Sequence, residues 1–318
     1  MKRILVTGGA GFIGSNLIRQ LLKAEKKYKV ICFDNFDDFY SRKQKELNIK
    51  DFKKDENFTL IEGDIRSMAD LEKAVAIDVI VHLAAKAGVR PSILDPVLYQ
   101  DVNVSGTQNL LEFARSKGIK QFVFGSSSSV YGVNENCPWN EEEKLLPISP
   151  YASTKLSGEM LGHVYSHLYG LRFLALRFFT VFGPSQRPDL AIHKFFKSIL
   201  NNQPIPVYGD GSTSRDYTFV EDTVSGIEAA INYDKSDFEI INLGNHQTIT
   251  LRGLIEAIEN ICGKKAIINQ LPEQPGDVPQ TYADISKGKL LLGYSPQTDL
   301  QTGLEHFFKW YNQYAALI

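Results

Sequence analysis

Within residues 151–155, a tyrosine and a lysine stand at a spacing that suits acid–base chemistry. Pro150 precedes them, and proline is common in the first turn of a helix. On a helix, Tyr151 and Lys155 lie one turn apart on the same face. A cation beside the phenol lowers its pKa from the usual value of about 10, so we expect Tyr151 to act as a general base near neutral pH. Alone, a Tyr-x-x-x-Lys segment is also typical of an exposed helical pair.

A run of serines, residues 126–129, lies about twenty residues before Tyr151 and is followed by Val130, Tyr131 and Gly132. It comes at the C-terminal end of the predicted fifth strand, and the ligands of open α/β sheets gather outside such ends. A serine run alone is typical of a flexible polar turn, so its significance depends on its surroundings.

A cofactor pattern opens the chain. Gly8, Gly11 and Gly14 satisfy Gly-x-x-Gly-x-x-Gly directly after a predicted strand and at the start of a helix. Such glycines let a pyrophosphate approach the backbone at the helix N-terminus, although alone they also fit a plain strand-to-helix turn. Asp34 ends the second predicted strand 20 residues after Gly14. Its carboxylate would bind ribose hydroxyls and repel a 2′-phosphate, so the pattern predicts NAD rather than NADP.

Asp64 follows the third predicted strand, where a polar side chain meets the adenine in such folds. The predicted NAD-binding residues are Gly8, Gly11, Phe12, Ile13, Gly14, Asp34, Asn35, Asp64, Ile65, Leu83, Ala84, Ala85, Tyr151 and Lys155. The serine run and the Tyr151–Lys155 pair therefore fall inside a dinucleotide-binding frame, and this conjunction is far more specific than either segment alone. We expect the positive nicotinamide to act together with Lys155 in lowering the pKa of Tyr151.

The elements that position these residues follow from the apolar periodicity. Short apolar strands are predicted at residues 3–7, 30–33, 58–61, 79–83, 121–124 and 172–177. Amphipathic helices separate them, and Ile13, Leu17 and Leu21 recur at helical spacing between the first two. This alternation predicts an α/β fold with a doubly wound, Rossmann-type parallel sheet. The charged stretch at residues 37–55 is interpreted as a solvated loop or exposed helix.

The second half of the chain is broken by prolines and glycines from about residue 180 onward. We predict an NAD-binding domain at residues 1–179, to which segments at about 215–247 return. Residues 180–214 and 248–318 are predicted to form a smaller α/β domain that binds the substrate.

The composition disfavours several classes of protein. A net charge of −2 argues against a nucleic-acid or anionic-membrane partner. The apolar runs fall far short of the ~20 residues that cross a bilayer, and the N-terminus does not resemble a signal peptide. Cys32, Cys137 and Cys262 lack the spacing of a disulfide framework or zinc site, and no third ligand accompanies His163 and His167. We expect a cytoplasmic protein without a metal.

Taken together, these motifs resemble those of the extended short-chain dehydrogenases/reductases. The likeness continues through residues 177–184, 215–217 and 275–277, so it spans almost the whole chain. In residues 82–90, 166–170 and 187–189 the chain is similar to the UDP-glucuronate 4-epimerases. The resemblance implies bound NAD and inversion at C4 of a UDP-sugar, with UDP-glucuronate favoured.

The resemblance also implies roles for individual residues. Ser127 matches the serine or threonine that hydrogen-bonds the sugar O4, Tyr151 matches the base, and Lys155 matches the lysine that holds the tyrosine and the nicotinamide ribose. Hydride would pass from C4 to NAD⁺, the 4-keto sugar would rotate, and hydride would return to its other face. UDP is expected in the smaller domain, with Arg215 near the diphosphate and Asp277 near its ribose.

Departures from related patterns point to an acidic sugar. Related dehydratases carry an Asp-Glu pair beside the strand-five motif and decarboxylases a glutamate, whereas this chain has Ser127 and Ser128. Where UDP-galactose 4-epimerases carry asparagine and arginine, it has Thr180 and Gln274. Arg187 has a planar fork suited to a C6 carboxylate, although it would also fit a loop carbonyl or a phosphate. We expect Ser128, Thr180 and Arg187 to bind the sugar and Arg187 with Thr180 to restrain decarboxylation.

Several alternatives remain open from the sequence. A 4-epimerase of UDP-glucose, UDP-galactose or N-acetylated hexosamines would share the same chemistry, and a UDP-glucuronate decarboxylase is a further alternative. A silent NAD-binding regulator would usually have lost the tyrosine or the lysine. The resemblance also implies a homodimer, in which helices at about residues 102–117 and 151–168 of each subunit pack together. Burial within one chain would explain their apolar stripes equally well.

Overall fold

The computed structural model describes residues 1–24, 27–273, 278–315 and 317, and these contain thirteen strands and twelve α-helices. The strands are β1 (Lys2–Thr7), β2 (Tyr28–Asp34), β3 (Phe58–Glu62), β4 (Val79–His82), β5 (Gln121–Ser127), β6 (Arg172–Phe178), β7 (Thr180–Phe182), β8 (Pro204–Tyr208), β9 (Ser214–Arg215), β10 (Tyr217–Phe219), β11 (Phe238–Leu243), β12 (Ile249–Thr250) and β13 (Ile267–Leu271). The helices are α1 (Phe12–Lys23), α2 (Arg42–Asn48), α3 (Met68–Leu71), α4 (Val89–Leu94), α5 (Pro96–Gln100), α6 (Gly106–Lys117), α7 (Pro150–Tyr169), α8 (Ala191–Leu200), α9 (Val220–Ile231), α10 (Leu251–Cys262), α11 (Ser286–Leu292) and α12 (Leu300–Tyr314). Among the described residues, no helix is long and apolar enough to cross a membrane.

A seven-stranded parallel sheet forms the centre of the fold, in the order β11-β6-β5-β4-β1-β2-β3. Side chains alternate between its faces, so Ile4 and Val6 belong to one buried apolar cluster and Leu5 to another. Leu17 of α1 and Ile227 of α9 pack in the first cluster, and residues of α6 and α7 pack in the second. Helices on both faces of a parallel sheet confirm the predicted doubly wound α/β fold.

The topology of the sheet identifies one edge at which a ligand is expected to bind. Its order reverses at β1, because β2 and β3 lie on one side of β1 and β4 to β6 on the other. Ligands of open α/β sheets bind outside the carboxyl ends of the strands at such a switch point. The four strands nearest this point end there at Thr7, Asp34, His82 and Ser127.

The second half of the chain forms small sheets around its own helices. β7 pairs with β10, β9 with β12, and β8 with β13. Phe196 of α8, Leu254 of α10 and Leu304 of α12 are buried in the apolar cluster that also contains Ile4 and Val6. Between these segments, α9 packs on the first half of the chain and β11 pairs with β6 at the edge of the large sheet.

The charged stretch at residues 37–55, which was interpreted as a solvated loop or exposed helix, is partly buried. Gln44, Lys45 and Asn48 of α2 are buried, and Ile49 and Phe52 belong to a buried apolar cluster. The interpretation is therefore wrong for these residues. It failed because Arg42, Lys43 and Glu46 lie on the exposed side of a short helix, whereas its other side, which includes the charged Lys45, packs against the body of the protein.

Candidate active site

A cavity of about 470 Å³ lies at the carboxyl edge of the large sheet. Eighteen of the predicted site residues line it: Gly8, Gly11, Phe12, Ile13, Gly14, Asp34, Asn35, Asp64, Ile65, Leu83, Ala84, Ala85, Ser127, Ser128, Tyr151, Lys155, Thr180 and Arg187. The structure thus brings the predicted cofactor, catalytic and sugar residues together. Arg215 does not line this cavity, and Asp277 lies outside the described residues, as does Gln274.

Glycines form one end of the cavity because no other residue fits there. Gly8 has a φ of 68°, and a Cβ on it would lie 2.8 Å from the backbone nitrogen of Ala84. A Cβ on Gly14 would collide with the Gly8 carbonyl oxygen. Gly11 is the N-cap of α1 and supplies no side-chain cap to the helix. The backbone is therefore open to a ligand, and this cradle fits the diphosphate of a dinucleotide at a helix N-terminus.

Asp34 is fixed in place by backbone donors. One carboxylate oxygen accepts a hydrogen bond of 3.0 Å from Ala10 N–H, and the other accepts one of 2.8 Å from Phe36 N–H. Each oxygen has a second lone pair, which can accept from a ribose hydroxyl. Burial raises the pKa of Asp34, and the nearby charge of Lys45 opposes this rise.

Beside Asp34, a hydrogen-bonded group lines the expected adenine end. The side-chain amide of Asn35 donates to Asp64 at 3.1 Å, and Arg66 pairs with both Asp64 and Asp101 at 2.8 Å. The hydrogen bond from Arg66 lowers the pKa of Asp64 to about 2. The sequence prediction included Asn35 and Asp64 but missed Arg66, which holds Asp64 ionised.

The catalytic segment lies where α7 meets the end of β5. Ser149 caps α7 by accepting a hydrogen bond from Ala152 N–H, so the helix begins just before Tyr151. The Ser127 hydroxyl accepts hydrogen bonds from Ser129 N–H at 3.2 Å and from the Ser129 hydroxyl at 2.9 Å, and it lines the cavity together with the Tyr151 phenol. Lys155 donates to the Gly125 carbonyl at 2.7 Å, and its ammonium is 6.0 Å from the centroid of the Tyr151 ring.

The predicted lowering of the Tyr151 pKa depended on a positive nicotinamide as well as on Lys155, and the protein groups alone do not produce it. Desolvation raises the pKa of Tyr151, although the Ser127 hydroxyl and the charge of Arg187 oppose the rise. Burial also lowers the pKa of Lys155 to about 8, against the opposing charge of Glu159. Desolvation dominates because Lys155 donates to a carbonyl instead of the phenol, so the phenolate needs a further positive charge in the cavity.

At the sugar end, Arg187 has a carboxylate partner within its own loop. Its Nε and Nη2 atoms donate to the two oxygens of Asp189 at 2.9 and 2.7 Å. The guanidinium also lies over the Phe39 ring, 5.3 Å from its centroid. A guanidinium has a second donor edge, Nη1–Nη2, for an incoming carboxylate. The backbone N–H of Thr180 donates to the Asp216 carbonyl at 3.0 Å, which fixes β7 beside this loop.

Arg215 lies apart from these residues. Its Nη1 donates to the Ser214 and Pro279 carbonyls at 2.8 and 3.3 Å. Arg215 is predicted to lie near a substrate diphosphate, but it is not among the residues that line this cavity. The motif match identified Arg215 in the sequence. The location of its side chain depends on the loop after residue 278, which supplies the Pro279 carbonyl that Arg215 binds.

A buried histidine, for which the sequence patterns predicted no role, holds the ends of two strands in register. His82 Nδ1 lies 2.7 Å from Thr7 Oγ1, and its Nε2 lies 2.9 Å from Thr107 Oγ1. Thr107 donates its single proton to the Asn103 carbonyl, so Nε2 carries the histidine proton and Thr7 donates to Nδ1. Burial lowers the pKa of His82 to about 3, which keeps it neutral.

A buried ion pair lies beneath the catalytic helix. Arg177 of β6 binds Glu159 of α7 through two hydrogen bonds of 3.0 and 2.8 Å, and both side chains are inaccessible to solvent. Ser126 donates to Glu159 at 2.5 Å, and Arg177 also donates to the Tyr131 hydroxyl at 2.9 Å. This pair therefore joins α7 to the end of β5 and the turn after it. Ser126 belongs to the serine run and Arg177 to residues 177–184, but spacing did not reveal that Glu159 of α7 is their common partner.

The charged stretch supplies further cavity residues that the prediction missed. Asp37, Phe39, Tyr40 and Lys45 line the cavity, together with Lys86, which pairs with Asp37 at 2.8 Å. The signal available in the sequence was the aromatic pair within a charged run. No group of histidine, cysteine and acidic side chains that could hold a metal ion occurs in the described part of the chain.

Comparison with known proteins places this site in a family. A family model for GDP-mannose 4,6 dehydratase matches residues 5–307. A UDP-glucuronate 4-epimerase of Thermodesulfobacterium geofontis is 40% identical, over 100% of this chain and 98% of the relative. The crystal structure of UDP-glucuronic acid 4-epimerase from Bacillus cereus in complex with UDP-glucuronic acid and NAD has a TM-score of 0.91 and 40% identity, over 98% of this chain and 99% of that chain.

A third similar protein acts on a different sugar. The UDP-N-acetylglucosamine 4-epimerase from Methanobrevibacter ruminantium M1, solved with UDP-N-acetylmuramic acid, has a TM-score of 0.90 and 34% identity, over 98% of each chain. The two solved structures share the fold across nearly their whole length, and the T. geofontis sequence aligns over 98% of its length. Together with the family model, they show that this chain belongs to the GDP-mannose 4,6-dehydratase family of extended short-chain dehydrogenases/reductases.

Proposed function

We propose that this protein is an NAD-dependent 4-epimerase of UDP-sugars that interconverts UDP-glucuronate and UDP-galacturonate. The observation that carries the proposal is the presence of Ser127, Tyr151, Lys155 and Arg187 around one cavity that begins at the glycine cradle. The relatives at 40% identity, which are UDP-glucuronate 4-epimerases, support the same substrate. Bound NAD supplies reversible removal of hydride from C4 of the sugar.

In this proposal, Tyr151 moves the proton at the sugar O4. Ser127 and Tyr151 line the same cavity, and in this proposal their two hydroxyls bind one sugar oxygen. Tyr151 takes the O4 proton during oxidation and returns it after the 4-keto sugar has presented its other face. Lys155, fixed by the Gly125 carbonyl, keeps a positive charge close to the phenol.

The carboxylate at C6 is bound by Arg187, with Thr180 and Ser128 as further hydrogen-bond donors. All three side chains belong to residues that line the cavity. A carboxylate held by the planar guanidinium is kept from turning out of the plane of the 4-keto group, and that turn is needed for loss of CO₂. The pairing of Arg187 with Asp189 is the specific observation that favours a second candidate, a neutral or N-acetylated sugar, because Asp189 already balances the charge of the guanidinium.

The remaining parts of the proposal concern UDP and assembly. Residues 1–179 with about 215–247 form the NAD-binding domain, and residues 180–214 and 248–318 bind UDP, with Arg215 and Asp277 as contacts that only the resemblance supports. A cytoplasmic homodimer is proposed because Met160, Val164 and Leu168 form an exposed apolar stripe on α7. Apolar surface of this kind is typical of subunit contacts.

The test is incubation of the purified protein with UDP-glucuronate, without added reductant, followed by chromatography and mass spectrometry. We expect a product of unchanged mass that is identified as UDP-galacturonate. Tyr151→Phe should lower kcat by about 10²- to 10⁴-fold while retaining NAD. A product lighter by CO₂, or turnover of neutral and N-acetylated UDP-sugars alone, would overturn the assignment of the substrate.

A further inference from the structure

The Tyr40 hydroxyl is buried at the cavity without a hydrogen-bond partner among the described residues. Two other side-chain atoms in that part of the chain share this property, on Arg172 and Gln186, and neither residue lines the cavity. Leaving a buried hydroxyl unpaired costs about 1–3 kcal/mol. An unpaired donor at a ligand cavity therefore indicates a group that the ligand supplies.

The loop that carries Tyr40 is well fixed, so the unpaired hydroxyl does not reflect a loosely held segment. Phe36 N–H donates to Asp34 at 2.8 Å, Phe39 N–H donates to Asp37 at 3.0 Å, and Lys45 donates to the Asp37 carbonyl at 2.6 Å. The Lys45 ammonium also lies over the Tyr40 ring, 4.8 Å from its centroid. These contacts set the position of the ring and leave its hydroxyl for a ligand.

The position of this hydroxyl identifies the chemistry of its partner. It lies 3.8 Å from the place that a Cβ on Gly11 would occupy, directly at the glycine cradle. The charges that act on the phenol are those of Asp34, on the ribose side, of Arg187 with its partner Asp189, on the sugar side, and of Asp37, which pairs with Lys86. Burial raises the pKa of Tyr40, so the group stays protonated and donates. An anionic acceptor between a ribose and the reacting sugar is a diphosphate.

We propose that the Tyr40 hydroxyl donates a hydrogen bond to the diphosphate of the bound dinucleotide, and so completes the anion site at the glycine cradle. This inference rests on the NAD-binding part of the proposed function. The substrate also carries a diphosphate, but the closeness of Tyr40 to Gly11 favours the cofactor. Tyr40 thereby becomes a cofactor-binding residue outside the glycine and aspartate pattern.

The test compares Tyr40→Phe with the wild type by calorimetric titration of cofactor-stripped protein. Because hydrogen bonds to charged groups contribute about 1.5–3 kcal/mol, the Kd for NAD should rise about ten- to hundredfold. ADP-ribose, which keeps the diphosphate, should weaken by the same factor, and the Kd for UDP should stay unchanged. Unchanged NAD binding, or weakened UDP binding with normal NAD binding, would overturn the proposal.

A second measurement separates this role from a structural one. Since Tyr40→Phe removes an unpaired buried group, the melting temperature of the cofactor-free protein should stay the same or rise. The matched control is Tyr28→Phe, whose hydroxyl donates to Glu228 and accepts from Asn232. That variant should melt at a lower temperature and bind NAD normally. A lower melting temperature for cofactor-free Tyr40→Phe would mean that the protein itself pairs the hydroxyl, and would sink the proposal.

The wild-type titration comes first, because it separates two kinds of failure. If wild-type protein does not bind NAD, the proposed function fails before Tyr40 is tested. If it binds NAD but epimerises no UDP-sugar, the proposed reaction fails, whereas the role of Tyr40 still depends on the Tyr40→Phe titration.

Discussion

The cofactor end and the sugar end of the cavity differ in what fixes their shape. At the cofactor end, Gly8 and Gly14 approach neighbouring backbone so closely that a Cβ does not fit, and two backbone N–H groups hold Asp34. At the sugar end, Arg187 is held by the side chain of Asp189 within the same loop. Backbone packing permits a single arrangement, whereas a side-chain ion pair can be exchanged. Cofactor choice should therefore resist substitution far more than sugar choice.

The most severe test of this contrast is Gly14→Ala. Its new Cβ would collide with the Gly8 carbonyl, so we expect NAD binding to be lost, with a Kd raised more than about a hundredfold. Calorimetry and the loss of the NAD-induced rise in melting temperature measure this effect. Gly118→Ala is the control, because its Cβ meets no atom within 4 Å. It should cost about 1 kcal/mol of stability and keep NAD binding. Normal NAD binding by Gly14→Ala would contradict the rigid cradle.

At the sugar end, Arg187→Ala should produce a graded and selective change. We expect kcat/KM for UDP-glucuronate to fall about 30- to 100-fold, because a bidentate charged contact is lost, together with some decarboxylated product. Activity on a neutral UDP-sugar should change by less than about threefold. Arg187→Lys keeps the charge without the planar fork, so it should recover only part of the activity. Full activity of Arg187→Ala with no lighter product would show that Arg187 does not bind the carboxylate.

The last test concerns the frame that the two ends share, where the expected effect is on stability and not on ligand binding. Folded His82 has a pKa of about 3, so between about pH 6.5 and pH 3 the unfolded chain holds a proton that the folded protein lacks. Stability therefore rises with pH across this window, by up to about 1.4 kcal/mol per pH unit. Melting temperatures measured from pH 4 to 7 should show a shallower slope in His82→Gln. The surface substitution His163→Gln should keep the wild-type slope; identical slopes in all three proteins would refute the assignment.

Sequence patterns predicted the cofactor end better than the sugar end, and the reason is physical. Gly8, Gly11, Gly14 and Asp34 belong to one short segment and the strand after it, where backbone geometry alone sets their positions. The six predicted strands all occur in the large sheet with small differences at their ends. The seventh strand, β11, comes from far along the chain, within the stretch that was predicted to return to the NAD-binding domain. Apolar periodicity could not predict that this strand pairs with β6.

Contacts between side chains that are far apart in the sequence could not be predicted from it. The spacing of residues 151–155 gave the helix, but the raised pKa of Tyr151 depends on how deeply that helix end is buried. Tyr40 and Lys45 were not predicted as cavity residues, because the high charge density of residues 37–55 indicated an exposed segment. One side of α2 nevertheless packs against the protein. Arg187 was singled out correctly as a cavity residue, yet its pairing with Asp189 needed the path of the loop.

The buried Glu159–Arg177 pair constrains how this protein can change over evolutionary time. Replacing either residue alone leaves the other charge buried without its partner, which lowers the folding stability by about 3–5 kcal/mol. Replacing both by apolar residues is often neutral for stability. Mutations at these two positions should therefore show strong epistasis, each deleterious alone and tolerated together. Ser126 shares the same carboxylate, so it should belong to the same epistatic group.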